Sequence, residues 1–381
     1  MQEQHHILIC AGTRPELIKL APLYHELNKR PHLAPSLCLT GQHESLVRDL
    51  PRSLNICPDH IFKRDQFDHS QLGLIKGVFQ QLTALLQVLK PRLMLVQGDT
   101  ASALTAAMTA RQQKIPVAHI EAGLRTRDIL SPFPEELYRQ LISRVGRWHF
   151  CPTKNNRASL IEEDIPEDHI YVCGSTSIDA VLQVPKKSRI PLETKSLTRP
   201  YFLITLHRRE VQGETLVTIV EALRRFAGEN PGFDFRVTVH PSPAVRRLLH
   251  HYLTGADNIF LLTPLDYRDF VPLMKNAYAI LSDSGGIQEE APALNVPVIV
   301  FREKTERQEG VRNGCLRLAG HDPEKIFSEL ALLIHDQDHY KRMSRSPNPF
   351  GDGQASRNIC DILDMIITGQ YSGNERPNLP S

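Results

Sequence analysis

Short apolar runs, long enough for a strand and too short for a helix, recur along this chain with helical patterns between most of them. Ile7–Ala11 is the first, and Ser36–Thr40, Leu93–Val96, Val117–Ile120, Trp148–Cys151 and Ile170–Cys173 follow. Runs that are apolar on both faces fit parallel strands, and each parallel connection consumes a crossover, usually a helix. The alternation predicts a doubly wound parallel sheet with helices on both faces, closing near residue 174. Val181–Pro200, "VLQVPKKSRIPLETKSLTRP", then loses periodicity and gains Pro, Lys and Ser, as an interdomain connection does. A second series begins with Tyr201–Leu206 and continues through Arg236–His240, Ile259–Leu262, Ala279–Ser282 and Val298–Phe301. At 381 residues the chain is too long for one ordinary core. Two Rossmann-like α/β domains are expected, over residues 1–174 and 175–352, facing a central cleft because ligands bind beyond the carboxyl ends of such strands.

Composition narrows the partner. With 41% hydrophobic residues, 23% charged residues and a net charge of +2, the chain lacks the basic excess of a nucleic-acid binder, so a small molecule is expected instead. No apolar run is expected to reach the length of a membrane span, and "MQEQHH" enters the first strand without a signal-peptide core; a cytoplasmic location is the expectation. The seven cysteines are scattered, with Cys10, Cys38 and Cys173 in apolar strand segments, and read as reduced core residues. Seventeen histidines include no His-x-x-x-His pair on a helix with a nearby acid, so no metal is expected. The terminal "YSGNERPNLPS" from Tyr371 is polar and Pro-rich, and disorder is expected over 371–381.

Strand ends carry the chemistry. In "HHILICAGTRPELIKLAPL", Gly12 allows a tight turn, Pro15 fits the first turn of a helix, and Leu17, Leu20, Ala21, Leu23 and Tyr24 continue at helical spacing. A helix start of this kind offers N–H groups to an anion, with Arg14 and Lys19 beside it; an ordinary turn with a solvated Arg is the plainer alternative. Leu93–Val96 runs into "QGDTASALTAA", which exposes Asp99 at the strand end, where it could equally serve as a cap. "HIEAGLRT" puts Glu121 at the equivalent place in the next unit, and "SPFPEELYRQL" puts Glu135 and Glu136 in a first helical turn, where the dipole alone favours carboxylates. Three acidic sites in one domain favour a cluster that moves protons, because crowded acids raise one another's pKa and divide the acid and base roles.

The second half offers anion chemistry. "LITLHRRE" places His207 and Arg208 at a strand end, and "VTVHPSP" places His240 at the next. "AILSDSGGIQEEAPAL" reads as strand, Ser-Gly-Gly turn and helix, so Ser284, Gly285 and Gly286 form a phosphate cradle and Glu290 can accept from both hydroxyls of a ribose. It lacks the P-loop spacing, so a nucleoside diphosphate fits better than ATP hydrolysis or a redox cofactor.

Taken in order, "GTRPE", "GQH", "QGDT", "HIEAGLRT", "SPFPEE", "HRRE", "DSGGIQEEAPAL", "TER" and "NPFGDGQAS" make the chain resemble the non-hydrolysing UDP-N-acetylglucosamine 2-epimerases from about His6 to Gln370. The resemblance implies a two-domain GT-B fold, a cofactor-independent reaction and a homodimer. It implies catalytic roles for Asp99, Glu121, Glu135 and His207. It places Arg14, Lys19, Arg208, His240, Ser284, Gly285, Gly286 and Glu290 on UDP or its sugar, and Phe270 on the uracil. A C-terminal helix, about 353–370, is expected to return to the first domain. Gln42 matches a group of an activator site in bacterial members, with Ser45 at the later polar position.

The implied route removes UDP from C1 and the proton from C2, giving a 2-acetamidoglucal, and then re-adds both with the C2 proton on the opposite face. The chain departs from the family pattern at Gln308 of "TERQE", at Leu137 and Tyr138 after "PEE", and at Val211 of "HRREV". Tyr138, one turn from Glu135, is expected to reshape the sugar pocket. A hydrolysing epimerase and a GT-B glycosyltransferase are the competing functions, the latter because nucleotide binding alone does not define a reaction.

Overall fold

The computed structural model describes residues 4–42, 50–63, 70–184, 199–206, 213–239 and 242–369. It divides into two compact units, residues 1–180 with 350–381, and residues 181–349.

Among the described residues, the first unit is built on seven parallel strands. These are β1 (His5–Ala11), β2 (Leu33–Leu39), β3 (His60–Ile61), β4 (Leu93–Gln97), β5 (Val117–Ile120), β6 (Trp148–Cys151) and β7 (Ile170–Val172). Their order in the sheet is β3-β2-β1-β4-β5-β6-β7, so the chain winds one way from β1 to β3 and the other way from β4 to β7. Ile7, Leu8, Ile9, Met94, Leu95 and Val96 are all fully buried, which is why the apolar runs announced themselves in the sequence. Register pairs Ile7 with Leu93 and Cys10 with Val96, and then Met94 with Val117 and Gln97 with Ile120. The polar residues that follow β4 and β5 therefore leave the sheet side by side.

The second unit holds six parallel strands: β8 (Tyr201–Thr205), β9 (Asp234–Thr238), β10 (Ile259–Leu262), β11 (Ala279–Ser282), β12 (Val298–Val300) and β13 (Leu316–Leu318). Their order is β10-β9-β8-β11-β12-β13, again doubly wound. Its core joins Phe202, Phe226 and Phe235 to Ile204, Leu281, Ile299 and Phe301. Stacking of Phe202 on Phe235 at 5.2 Å adds a directional contact to that apolar burial.

Three expectations need correction. Two strands, β3 and β13, carry no apolar run long enough to read; β13 alternates Leu-Arg-Leu, and its Arg317 pairs with Glu329 at 2.7 and 3.0 Å. The strand expected over Arg236–His240 is Asp234–Thr238. The helix Gln71–Leu89 is long and apolar enough, by length and composition, to cross a membrane, against the expectation that no segment was. It nevertheless packs Leu74, Val78, Leu82 and Leu86 into the core of the first unit at helical spacing, as a core helix of a doubly wound fold does.

The helix Ala355–Thr368 belongs to the first unit although it follows the second in the chain. Asp179 accepts from Ala355 N at 3.1 Å and Ser356 N at 2.6 Å, capping that helix with the negative charge its N-terminus favours. Arg30 binds Asp364 and, at 2.8 Å, Asp361, while His32 Nε2 lies 2.8 Å from Asp364. The terminal segment 371–381 lies outside the described residues.

Candidate active site

Glu121 follows β5 directly and takes φ +64°, a left-handed conformation that a side chain with a Cβ adopts only at some cost. Its carboxylate is held on two sides. Lys19 Nζ, from the helix Arg14–Asn28, reaches Oε1 at 2.6 Å and Oε2 at 2.7 Å, and Gln97 Nε2, at the end of β4, donates to Oε2. Asp99, two residues past β4, accepts from Arg139 Nε at 2.7 Å. Arg139 also binds Glu136 at 3.0 Å, and Glu136 accepts from Thr126 N at 3.1 Å.

The two acids of the "PEE" turn thereby separate. Glu136 is fully buried, and Arg139 one turn later faces the same side of the helix Glu135–Val145; Glu135 is half-buried and makes no hydrogen bond or ion pair among the described residues. The structure thus brings Asp99 and Glu121 to adjacent strand ends, and Arg139 ties Asp99 to the helix that Glu135 begins. His119, fully buried in β5, donates through Nε2 to Gly98 O at 2.8 Å. Burial pushes its pKa down to about 4, so the imidazole is neutral and the direction of that bond is set.

The turn after β1 already holds a carboxyl group of its own. Glu16 Oε2 accepts from Gly12 N at 3.1 Å and Thr13 N at 2.7 Å, and Thr100 Oγ1 donates to Oε1 at 2.8 Å. With Thr13 as N-cap this is a capping box, extended by a third donor from the turn that carries Asp99. Complete burial raises the Glu16 carboxyl from 4.5 to about 7, against the lowering effect of those hydrogen bonds. Sequence reasoning left this helix start open between an external anion and an ordinary turn and passed over Glu16, although the Thr-x-x-Glu spacing is the signature of a capping box. Lys19, expected on the nucleotide sugar, is bound to Glu121. Arg14 is half-buried at the first helical position.

Gly12 is required by proximity: a Cβ there would lie 2.1 Å from Ser102 Oγ and 2.5 Å from Thr40 Oγ1. Ser102 in turn donates to Gln42 Oε1 through its backbone N at 3.1 Å and its hydroxyl at 2.8 Å. Gln42 is therefore tied to the first turn of the helix Ala101–Gln112, beside Asp99 and Thr100. Ser45 lies outside the described residues. Tyr138 is buried in the core cluster that includes Val78 and Leu82, and its hydroxyl is 2.5 Å from Gln71 Nε2.

In the second unit, β11 leads through Asp283 to Ser284, which precedes the helix Gly285–Ala293. Ser282 Oγ bonds Thr205 Oγ1 at 2.6 Å across the strand ends and accepts from Ser284 N at 3.0 Å. Ser284 makes no side-chain capping bond, so its hydroxyl is not spent on the helix. A Cβ on Gly285 would meet Arg307 Nη1 at 2.7 Å, so glycine admits a guanidinium against the turn. Arg307 binds Glu289 through Nε at 2.6 Å and Nη2 at 2.5 Å and also binds Glu306, which Arg302 reaches at 3.0 Å.

All four of these charges are buried, and Arg307, although in a motif noted from the sequence, had been given no role there. Gln308 takes the first position of the helix Gln308–Asn313, where proline would also fit. Glu290 is buried one turn beyond Gly286. Burial first, and then the charge of Glu290, raises the Tyr267 hydroxyl well above its ordinary value; Tyr267 begins the helix Tyr267–Lys275, which carries half-buried Phe270. His207, Arg208 and His240 lie outside the described residues.

Two doubly wound α/β units, one with carboxylates at its strand ends and one with a Ser-Gly-Gly helix start, define a protein of the two-domain Rossmann-like class suited to a phosphorylated ligand. Comparison with known proteins is specific. A model of the UDP-N-acetylglucosamine 2-epimerase family matches residues 25–364. UDP-N-acetylglucosamine 2-epimerase of Salmonella typhimurium is 39% identical over 367 residues, covering 94% of this chain and 98% of that protein. The structure of UDP-GlcNAc 2-epimerase from Neisseria meningitidis bound to UDP-GlcNAc superposes with a TM-score of 0.89 at 38% identity, covering 94% of this chain and 99% of that one. The Methanocaldococcus jannaschii enzyme in complex with UDP-GlcNAc and UDP gives 0.84 at 32% identity, covering 94% and 99%. The chain belongs to the UDP-N-acetylglucosamine 2-epimerase family, and its paired doubly wound sheets are the GT-B-like architecture of that family.

Proposed function

We propose that this protein interconverts UDP-N-acetylglucosamine and UDP-N-acetylmannosamine without hydrolysis, supplying a precursor for surface polysaccharide. The observation that carries the reading is the set of acids in the first unit: Asp99 paired with Arg139, Glu121 held by Lys19 and Gln97, and Glu135 without a fixed partner among the described residues. Inversion at C2 needs carboxyl groups in different states. One accepts the C2 proton as the C1–O bond breaks and UDP departs, leaving a 2-acetamidoglucal; another returns a proton to the opposite face as UDP adds back to C1. A nucleotide-sugar transferase has no use for such a relay. Asp99, Glu121, Glu135 and His207 are assigned to these proton transfers. Arg14, Arg208, His240 and the Ser284–Gly286 turn are assigned to the diphosphate, Glu290 to the ribose and Phe270 to the uracil. Lys19 serves the Glu121 carboxylate at the sugar end, and Gln42 contributes to an activator site. The protein acts in the cytoplasm as a homodimer.

Incubation with UDP-N-acetylglucosamine in deuterium oxide tests the reading. Deuterium is expected at C2 of both UDP-sugars, because a carboxyl base exchanges its proton with solvent before re-addition. Release of free UDP with deuterated N-acetylmannosamine would assign the hydrolysing reaction. Binding of UDP-N-acetylglucosamine with a C2 proton that persists for hours would exclude an epimerase.

A further inference from the structure

Gln97 closes β4 and is 1% exposed. It is the one polar side chain in a strand otherwise made of Leu93, Met94, Leu95 and Val96. Register sets it beside Ile120, and from there its Nε2 donates to Glu121 Oε2. Because an ionised carboxylate only accepts, the amide must present its NH2 group to Glu121, which turns Oε1 the other way. That Oε1 is buried with no hydrogen-bond partner among the described residues. An amide half satisfied in an apolar strand is costly, and leucine or methionine would fill the volume without that cost.

What the amide gains in return is one contact, to Glu121. Other charged and titratable groups stand near it. Lys19 comes from the helix Arg14–Asn28, Asp99 is held by Arg139, and His119, one strand residue before Ile120, is neutral and bound to Gly98 O. Lys19 supplies the compensating charge, and Gln97 supplies direction without a second charge.

We propose, on the reading of Glu121 as a proton-transfer group, that Gln97 is a positioning residue for Glu121. It fixes the rotation of a carboxylate whose backbone sits at φ +64°, and as a donor to the ionised form it helps set the pH at which that carboxylate is ready to accept a proton. Sequence inspection ends the strand at Val96, places Gln97 in the "QGDT" that follows and gives it no role.

The test uses the full chain with Gln97→Glu, Gln97→Leu and Gln97→Met, followed by kcat, KM, UDP affinity, melting temperature and C2 exchange from pH 5 to 9. Gln97→Glu places a second carboxyl against Glu121, so the two share a proton and the acidic limb of kcat/KM is expected to rise by on the order of one pH unit. Gln97→Leu and Gln97→Met are expected to lower kcat by about tenfold, with KM and UDP affinity within about twofold, and to move the limb the same way by less. A residue that only fills space would change the melting temperature and leave the pH profile in place. Folded variants with a wild-type profile, or with raised KM and unchanged kcat, overturn the proposal. Methionine, close to glutamine in shape, supplies the answer if another variant fails to fold. Wild-type protein that exchanges no C2 proton overturns the reading of Glu121 and this proposal with it, whereas exchange unaffected in all three variants overturns this proposal alone.

Discussion

Charges at the strand ends of the first unit are paired across long stretches of chain, and those of the second unit are paired locally. Lys19 meets Glu121 across 102 residues and Arg139 meets Asp99 across 40. In the second unit, Arg307 meets Glu289 across 18 residues, and Arg302 meets Glu306 one helical turn's spacing away. Of the distant pairs, Asp99 stays reachable with its side chain 29% exposed, while the Glu121 side chain is 9% exposed. The local network is sealed, with Glu289 at 0% and Arg307 at 4%. The proposed roles of the two units account for the contrast. A group that must exchange protons needs a partner that orients it and a path to the ligand. A group that shapes a backbone turn for an anion works best when it never meets the ligand at all.

The largest expected effect would break this comparison from the side of the sealed network. Arg307→Met strands the buried carboxylates of Glu289 and Glu306, and should destabilise the second unit by about 3–5 kcal/mol in denaturant titration, the usual consequence of removing one member of a buried ion set. A loss under about 1 kcal/mol would mean that the network is no more than a surface pairing.

Glu16 gives the opposite behaviour, a buried carboxylate satisfied by hydrogen bonds, with no ion pair described. Its folded form keeps the proton to about pH 7, while the unfolded chain releases it near 4.5. The folded state therefore binds more protons between those values, so stability is full below about pH 4.5 and falls as pH rises toward 7. The loss is about 3 kcal/mol at 1.36 kcal/mol per pH unit. Thermal melting of Glu16→Gln should lose this slope between pH 5 and 7; an unchanged slope would place the titration elsewhere.

The catalytic side is sharpened by Asp99→Asn, Glu121→Gln and Glu135→Gln. Each should lower turnover by about 100-fold, while UDP binding and melting temperature change little. Near wild-type turnover in any two would return these acids to structural roles. The smallest effect is on the second unit's ligand: Glu290→Ala should weaken UDP binding by about 1–3 kcal/mol in calorimetry, by loss of charge-assisted hydrogen bonds to the ribose.

The sequence showed most of the strands and little of the pairing. Strands such as Ile7–Ala11 and Met94–Val96 are buried on both faces, so their composition carries the signal, whereas two-residue β3 is too short to carry one. Asp99 and Glu121 were legible as acids placed just after apolar runs. Glu135 and Glu136 were separable by the family resemblance, which names Glu135, but not by the residues alone, because the helix dipole favours either in a first turn; rotation of about 100° per residue sends Glu136 inward toward Arg139 and leaves Glu135 half-buried. The bond of Lys19 to Glu121 was not legible, because nothing in local spacing reveals a partner 102 residues away. Gln97 and Arg307 were in plain view in "QGDT" and "TER", but their meaning depends on register and on a glycine that lets a guanidinium approach.

The helix Ala355–Thr368 has a consequence for the order in which the molecule can be made. The first unit is the first to leave the ribosome, yet it buries Ile359, Ile362, Leu363 and Ile367 from the far end of the chain and spends Asp179 on capping that far segment. Domains generally fold as units, from the N-terminal one onward during synthesis. Here the earlier unit must wait, with an apolar seat open, while the whole of residues 181–349 is translated and free to fold. The first unit is thus completed late, after the unit that follows it in the chain.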